Sequence, residues 1–397
     1  MTTGIATCRI LVGDVREQLA LLPEQSVQMA VTSPPYWGLR SYLSADHPLK
    51  FREIGTESTP ADYVASLVAT FQAVRRVLKP DGTLWVNLGD AYSRGDRSRF
   101  PNDALRGISS TKTGVVAAQG GFGAGGVADR PAKNLLMIPA RFALAMQDAG
   151  WILRSRIIWH KPNALPSPTQ DRPTNSYEEV FLFVLSDRPR FWVHRDRPYG
   201  DRVMHRPEPD YRWIHRETGM EQKTDPGDPA HWRRINLWRS GDYYYDGDAI
   251  AEPAVVGDHG SYFDRGKTGH HANQGSDHRP KDKQRASGLR LYSGFNDRWQ
   301  AQMTKPGMRQ RRDVWSIPTT GFAGAHYAVF PEKLIEPMII AGCPEGGTVL
   351  DPFAGSGTTL AVANRLGRHA IGIELNPEYL TMIDDRTRQS HWVFAGD

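Results

Sequence analysis

The stretch from Gly347 to Glu374 constrains the fold more than any other part of the chain. Thr348–Leu350 is a short apolar strand, Asp351–Gly357 a tight turn, and Thr358 the start of a helix that stops near Gly367. Ala370–Ile373 is a second strand that ends in Glu374, 17 residues after Gly357. A strand, glycine turn, helix, strand and acid in that order form an α/β unit of the kind found in dinucleotide folds. The glycines let the backbone approach a ligand, and the helix start offers free N–H groups. Glu374 suits a ribose diol. The turn Gly355-Ser356-Gly357 lacks the third glycine that a dinucleotide wants, and Asp351 at its mouth would repel a pyrophosphate and attract a cation. S-adenosylmethionine carries an ammonium and a sulfonium and no phosphate, so the segment favours it.

The rest of the chain alternates between patterned and unpatterned sequence. Val27–Thr32 reads as a buried strand, Tyr63–Leu78 as a helix with one apolar face, and Thr83–Leu88 as a strand after the stop at Pro80-Asp81-Gly82. A helix over Ile138–Ala149 and strands near Leu153–Trp159 and Glu179–Leu185 follow. Residues 93–130 include six glycines between Gly114 and Gly126 and read as a mobile loop. Residues 187–312 are rich in Arg, His, Trp, Tyr, Gly and Pro, with weak periodicity. Tyr243-Tyr-Tyr245 within them reads as a strand with one exposed face. The simplest organisation is one α/β domain built from segments 1–92, 131–186 and 313–397, interrupted by the 93–130 loop and the 187–312 insert.

The turn Thr32-Ser33-Pro34-Pro35-Tyr36 follows the first buried strand. Two prolines fix the backbone and remove two donors, which leaves carbonyls free to accept. Ser33 adds a hydroxyl and Tyr36 an aromatic face. A planar base with an exocyclic amine fits such a receptor, its two N–H groups meeting the Ser33 hydroxyl and the Pro34 carbonyl. Accepting both would free the nitrogen lone pair for in-line attack on a sulfonium methyl, with positioning and charge stabilisation supplying the catalysis. The two cysteines, Cys8 and Cys343, form neither a CxxC pair nor a Pro-Cys dipeptide. A zinc knuckle and a cysteine-dependent attack on carbon are thus both unsupported.

On these motifs the sequence resembles the amino-methylating DNA methyltransferases, in the permuted β group where the catalytic motif precedes the target-recognition region and the cofactor motif comes last. Ser33, Pro34, Pro35 and Tyr36 match the catalytic motif, in the serine form associated mainly with cytosine-N4 enzymes. Asp351, Pro352, Phe353, Gly355, Ser356, Gly357, Thr358 and Thr359 match the cofactor loop, and Glu374 the ribose-binding acid. His326–Pro331, continuing to Leu334, resembles the segment around the methionine end of the cofactor, which implicates Phe330 and Pro331. Gly13-Asp14 resembles the position near the adenine ring, and Thr32 joins the cofactor-binding set. Leu78–Thr83 and Trp159–Asn163 match recurrent family segments. The resemblance covers roughly residues 9–92, 134–186 and 313–385. It implies a Rossmann-like methyltransferase fold with a mixed, mostly parallel seven-stranded sheet, S-adenosylmethionine as cofactor, S-adenosylhomocysteine as product, and no metal.

Charge locates the expected DNA surface. Residues 187–312 hold 24 Lys+Arg against 18 Asp+Glu, whereas the remainder holds 25 against 26, so the net +5 of the chain sits in the insert. Neutralising phosphates needs such an excess. Residues 279–312 alone have ten basic and two acidic side chains. Arg279, Lys281, Lys283, Arg285, Arg290, Arg309, Arg311 and Arg312, with Lys161 outside the insert, are expected to meet duplex DNA. A paired base must be flipped out before its amine can react. Adenine-N6 methylation and a catalytically silent DNA-binding module are the alternatives. No run reaches the roughly 18–20 apolar residues of a membrane helix, and no basic-then-apolar leader opens the chain, so a cytoplasmic protein of prokaryotic or phage type is the default. A cognate restriction endonuclease is a natural partner; monomer and homodimer both stay open.

Overall fold

In the computed structural model Val27–Thr32 forms a strand, β2, with all six residues buried. The structure describes residues 6–39, 41–44, 46–93, 130–167, 169–185, 191–196, 202–203, 205, 207–216, 218–253, 308–319 and 330–389. The Gly114–Gly126 stretch, His326–Val329, and Arg279, Lys281, Lys283, Arg285 and Arg290 lie outside these residues.

The central sheet has eight strands: β1 (Cys8–Val12), β2, β3 (Leu78–Leu88), β4 (Ile152–His160), β5 (Tyr177–Val184), β6 (Val314–Ser316), β7 (Thr348–Asp351) and β8 (His369–Glu374). Their spatial order is β1-β8-β7-β2-β3-β5-β4-β6. Every strand runs the same way except β5, which is antiparallel to both β3 and β4. The sheet is mixed and mostly parallel, as expected. It has eight strands rather than seven because three residues, Val314–Ser316, extend the edge by pairing with Ile158–His160. Strands this central are covered on both faces, which is why every residue of β2 is buried, Gln28 and Thr32 included.

The helices follow from capping and stripe. Asp14 caps α1 (Val15–Ala20), accepting from the Arg16 and Glu17 backbone. Thr59 caps α2 (Pro60–Val77) by accepting from Asp62 N, and Pro60 supplies the fixed φ suited to a first turn. One side of α2, including Tyr63, Leu67, Phe71, Val74 and Val77, is buried. It packs beside α3 (Ile138–Asp148), where Phe71 and Phe142 rings lie 5.6 Å apart. Three more helices, α4 (Glu332–Gly342), α5 (Thr358–Arg365) and α6 (Leu380–Gln389), accompany β7 and β8. The base of the 93–130 segment is clamped: Tyr92 bridges Leu135, Ser93 N donates to Asn134 O at 2.8 Å, and Asp90 accepts from Ile138 N at the start of α3.

The chain divides into two compact units, one of Met1–Phe191, Ser240–Tyr245 and Asp313–Asp397, the other of Trp192–Arg239 and Asp246–Arg312. Tyr243–Tyr245 is not a strand. It clusters with the first unit, where Tyr244 N donates to Asp81 O, the Tyr243 hydroxyl accepts from Arg154, and Tyr245 stacks on Trp85 at 6.5 Å. The second unit includes a small antiparallel sheet in which Trp232–Asn236 pairs with Tyr211–His215, and that strand with Glu221–Gln222. Alternation along these strands gathers Tyr211, Trp213, His215, Trp232 and Arg234 on one face, with Arg234 over the Tyr211 ring at 4.4 Å.

Candidate active site

Two clusters form at the carboxyl ends of the parallel strands. The first surrounds the glycine turn. Asp351 ends β7 with its carboxylate buried and held by three donors: Thr32 Oγ1 at 2.6 Å, Thr359 Oγ1 at 2.5 Å, and Phe353 N at 3.0 Å. Thr32 is therefore joined to Asp351 across adjacent strands, and the carboxylate braces the turn from within. Glu374 ends β8; one oxygen accepts from Gly355 N and the other from Asn376 N, each at 2.8 Å. Gly13 N donates to Glu374 O at 2.9 Å, which brings Gly13-Asp14 beside the acid. Gly357 has φ +78°, and a Cβ there would meet Ile383 at 3.1 Å, so this cap position requires glycine. Arg386 donates to Ser356 Oγ at 2.8 Å and also to Thr358. Pro331 caps α4, with Phe330 half-buried before it, and Arg365 of α5 holds Glu332 of α4 at 2.6 Å.

The electrostatics distinguish these acids. Burial pushes the Asp351 carboxyl up to about 6 against its three hydrogen bonds. Burial likewise pushes Glu374 to about 7, and Asp351 nearby adds to the rise. At Asp14 burial also acts upward, but the Arg16 guanidinium and two backbone N–H groups overcome it and hold the carboxyl below its usual value. Because Asp351 and Glu374 bind protons more tightly folded than unfolded, their stabilising contribution is complete below about pH 4 and fades as pH rises through 6 and 7. For Glu374 this is on the order of 3 kcal/mol. The thermal midpoint of the ligand-free protein is expected to fall between pH 5 and pH 8 in calorimetry. A midpoint that climbs over this window would contradict the burial of the two acids.

The second cluster is the proline turn. Tyr63 of α2 donates its hydroxyl to Pro35 O at 2.7 Å, fixing the turn from below. Gly89 is required by close approach, since a Cβ there would sit 2.7 Å from the Tyr36 ring. The Tyr36 hydroxyl donates to Glu178 Oε2 at 2.6 Å. Asn87 Nδ2 lies 2.8 Å from Tyr36 Oη, 2.8 Å from Glu178 Oε2 and 3.4 Å from Ser33 Oγ, while Ser33 Oγ approaches Tyr36 Oη at 3.3 Å. Burial raises the Tyr36 phenol well above its ordinary value, and the charge of Glu178 raises it further, so the phenol keeps its proton. Lys161 pairs with the other oxygen of Glu178 and lies over the Trp159 ring at 4.4 Å.

Ser33–Tyr36 thus sit together, as do Thr32, Asp351, the turn and Glu374. Lys161, expected to meet DNA, is an ion-pair partner inside this cluster. Arg309 is buried and bonded to Glu252, an acid that Arg312 shares. Sequence reasoning did not single out Asn87 and Glu178. The available signals were a lone amide in the apolar run Leu84–Leu88 and a pair of acids heading the apolar strand β5. Among the described residues no group of three or more His, Cys, Asp or Glu is placed to hold a metal, and no helix is long and apolar enough to cross a membrane.

Comparison with known proteins agrees with this geometry. Residues 27–385 match the family model for N6/N4 DNA methylases. The chain belongs to this DNA methylase family. The Type II methyltransferase M.XycI of Xanthomonas campestris pv. cyanopsidis is 33% identical to the methylase over 380 residues, spanning 94% of this chain and 85% of that one. M.SmaI of Serratia marcescens, also a Type II methyltransferase, is 31% identical over 392 residues, 97% and 92% of the two chains. The solved PvuII DNA methyltransferase, described as cytosine-N4-specific, shares the fold with a TM-score of 0.50 and 18% identity, over 96% of this chain and 86% of that one.

Proposed function

We propose that this DNA methylase transfers a methyl group from S-adenosylmethionine to N4 of a cytosine flipped out of duplex DNA. The carrying observation is Ser33: a neutral hydroxyl, not a carboxylate, heads the turn beside Tyr36 and Asn87. With the Pro35 carbonyl taken by Tyr63, the Pro34 carbonyl and Ser33 Oγ are the pair assigned to the two amine N–H groups.

The glycine turn fits the cofactor and not a dinucleotide. Phe353 N, Ala354 N, Gly355 N and Gly357 N are all spent on acceptors within the protein, leaving a poor cradle for phosphates. Glu374 uses one acceptor site on each oxygen for the backbone, and a carboxylate offers about four. Two remain for the hydroxyls of a ribose. When bound, S-adenosylmethionine supplies an electrophilic methyl group: the amine lone pair takes it, the carbon–sulfur pair stays on sulfur, and the nitrogen is left with one proton too many. Asp14, Phe330 and Pro331 complete the proposed pocket, and Ser33 and Pro34 orient the amine.

DNA is held, in this reading, by the basic insert and by the sheet face carrying Tyr211, Trp213, Trp232 and Arg234. Replacing Arg279, Lys281, Lys283 and Arg285 together with alanine is expected to flatten the plot of log affinity against log salt by about 0.9 for each phosphate that is no longer neutralised. An unchanged slope moves the DNA surface elsewhere. The function itself is tested by incubating the protein with S-adenosylmethionine and mixed-sequence duplex DNA, then analysing nucleosides by mass spectrometry. N4-methylcytosine is the expected product. N6-methyladenine would keep the transfer chemistry and overturn the base. No methylated base, with no cofactor binding, would favour a silent DNA-binding module.

A further inference from the structure

The groups behind the proline turn form a chain with a direction. Glu178 is an acceptor with Lys161 on one oxygen; its other oxygen takes the Tyr36 hydroxyl at 2.6 Å and Asn87 Nδ2 at 2.8 Å. A phenol has one proton, and here it is committed to Glu178. Toward Asn87 at 2.8 Å and Ser33 at 3.3 Å the phenol oxygen can therefore only accept. The Ser33 proton is thus drawn inward, to Tyr36, and the lone pairs of Ser33 Oγ are left for a donor outside the chain. The polarity of the whole row is set by the charge at its far end.

We propose that Glu178 is a positioning residue for methyl transfer, orienting Ser33 through Tyr36, and that it receives the surplus proton of the methylated amine through the same two hydroxyls. This rests on the function proposed above. The proton leaves nitrogen for Ser33 Oγ as the Ser33 proton passes to Tyr36 Oη and the Tyr36 proton to Glu178. The amine, serine and tyrosine end neutral, and the carboxylate ends as a carboxylic acid. Glu178 keeps 16% of its side chain exposed, which lets water take the proton afterwards. Asn87 completes the arrangement: its amide donates to both Tyr36 and Glu178 and holds them in register.

The test uses Glu178→Gln, Tyr36→Phe and the double variant, with S-adenosylmethionine and a mixed-sequence plasmid. Each single variant is expected to slow single-turnover transfer about 100-fold, with half-saturating cofactor and DNA changed by less than about threefold. The double variant is expected to be no slower than the slower single, because both break one chain. A second readout needs no cofactor. With ring-labelled tyrosine, the resonance that Tyr36→Phe removes should ionise at lower pH in Glu178→Gln, since a negative neighbour is gone. Near-normal transfer in either single variant, multiplying losses, or an unmoved resonance would overturn the inference. Should Glu178→Gln not fold, Tyr36→Phe decides alone. A wild-type protein that methylates no DNA overturns the proposed function and this inference together. An active wild type matched by Glu178→Gln overturns only the inference.

Discussion

Ser33→Ala is expected to slow methyl transfer about 10²–10³-fold, the usual cost of deleting one preorganised group at a reacting centre. Binding of the cofactor should change by less than about twofold, because Ser33 is not among the groups that brace the glycine turn. The fold should survive as well. Ser33 contributes two long contacts, 3.3 Å to Tyr36 and 3.4 Å from Asn87, whereas the turn is anchored by the 2.7 Å bond from Tyr63 to Pro35. Single-turnover kinetics beside an equilibrium binding titration separates the two effects. A near-normal rate would remove Ser33 from the site and, with it, the reason for preferring cytosine.

Glu374→Ala is the second large effect, and it falls on the opposite parameter. In the proposed pocket two ribose hydroxyls donate to Glu374; two such bonds to a charged acceptor are together worth about 3 kcal/mol or more, so cofactor affinity should drop about 100-fold or more. Glutamine does not rescue this position. Both Glu374 oxygens already face backbone donors, Gly355 N and Asn376 N, so an amide would set N–H against N–H on one side. In the wild type, hydroxyl donors favour the ionised form of an acid that sits near 7, so cofactor affinity should rise as pH passes from 6 to 8. Calorimetric titration at both pH values checks the size and the sign. Unchanged affinity in Glu374→Ala would place the ribose elsewhere.

The two clusters differ in how much of them the sequence discloses. Asp351, Gly355, Gly357 and Glu374 are local to one strand–turn–helix–strand unit, so their spacing carries the geometry. Val27–Thr32 and the 60–77 helix are equally legible, because a buried central strand and an amphipathic helix leave strong patterns. Asn87 and Glu178 are not legible. They meet because β3 lies between β2 and an antiparallel β5, and no local pattern encodes that strand order. The pairing of Lys161, just after β4, with Glu178 is hidden for the same reason. The eighth strand is three residues long, too short for periodicity to register. Tyr243–Tyr245 fails because aromatic residues alternate with nothing, and their contacts lie on Trp85 and Asp81, far away in sequence.

The pairing of β1 with β8 has a consequence for synthesis. Cys8–Val12 leaves the ribosome long before its partners in the sheet, Ala370–Glu374. The Gly13 contact to Glu374, and that of Thr32 to Asp351 across 319 residues, likewise join distant parts of the chain. Contacts this distant close late and slowly. A nascent chain holds its proline turn long before it has its glycine turn and Glu374. The newborn strand β1 must therefore be kept from pairing with the wrong edge until Ala370–Glu374 has been made.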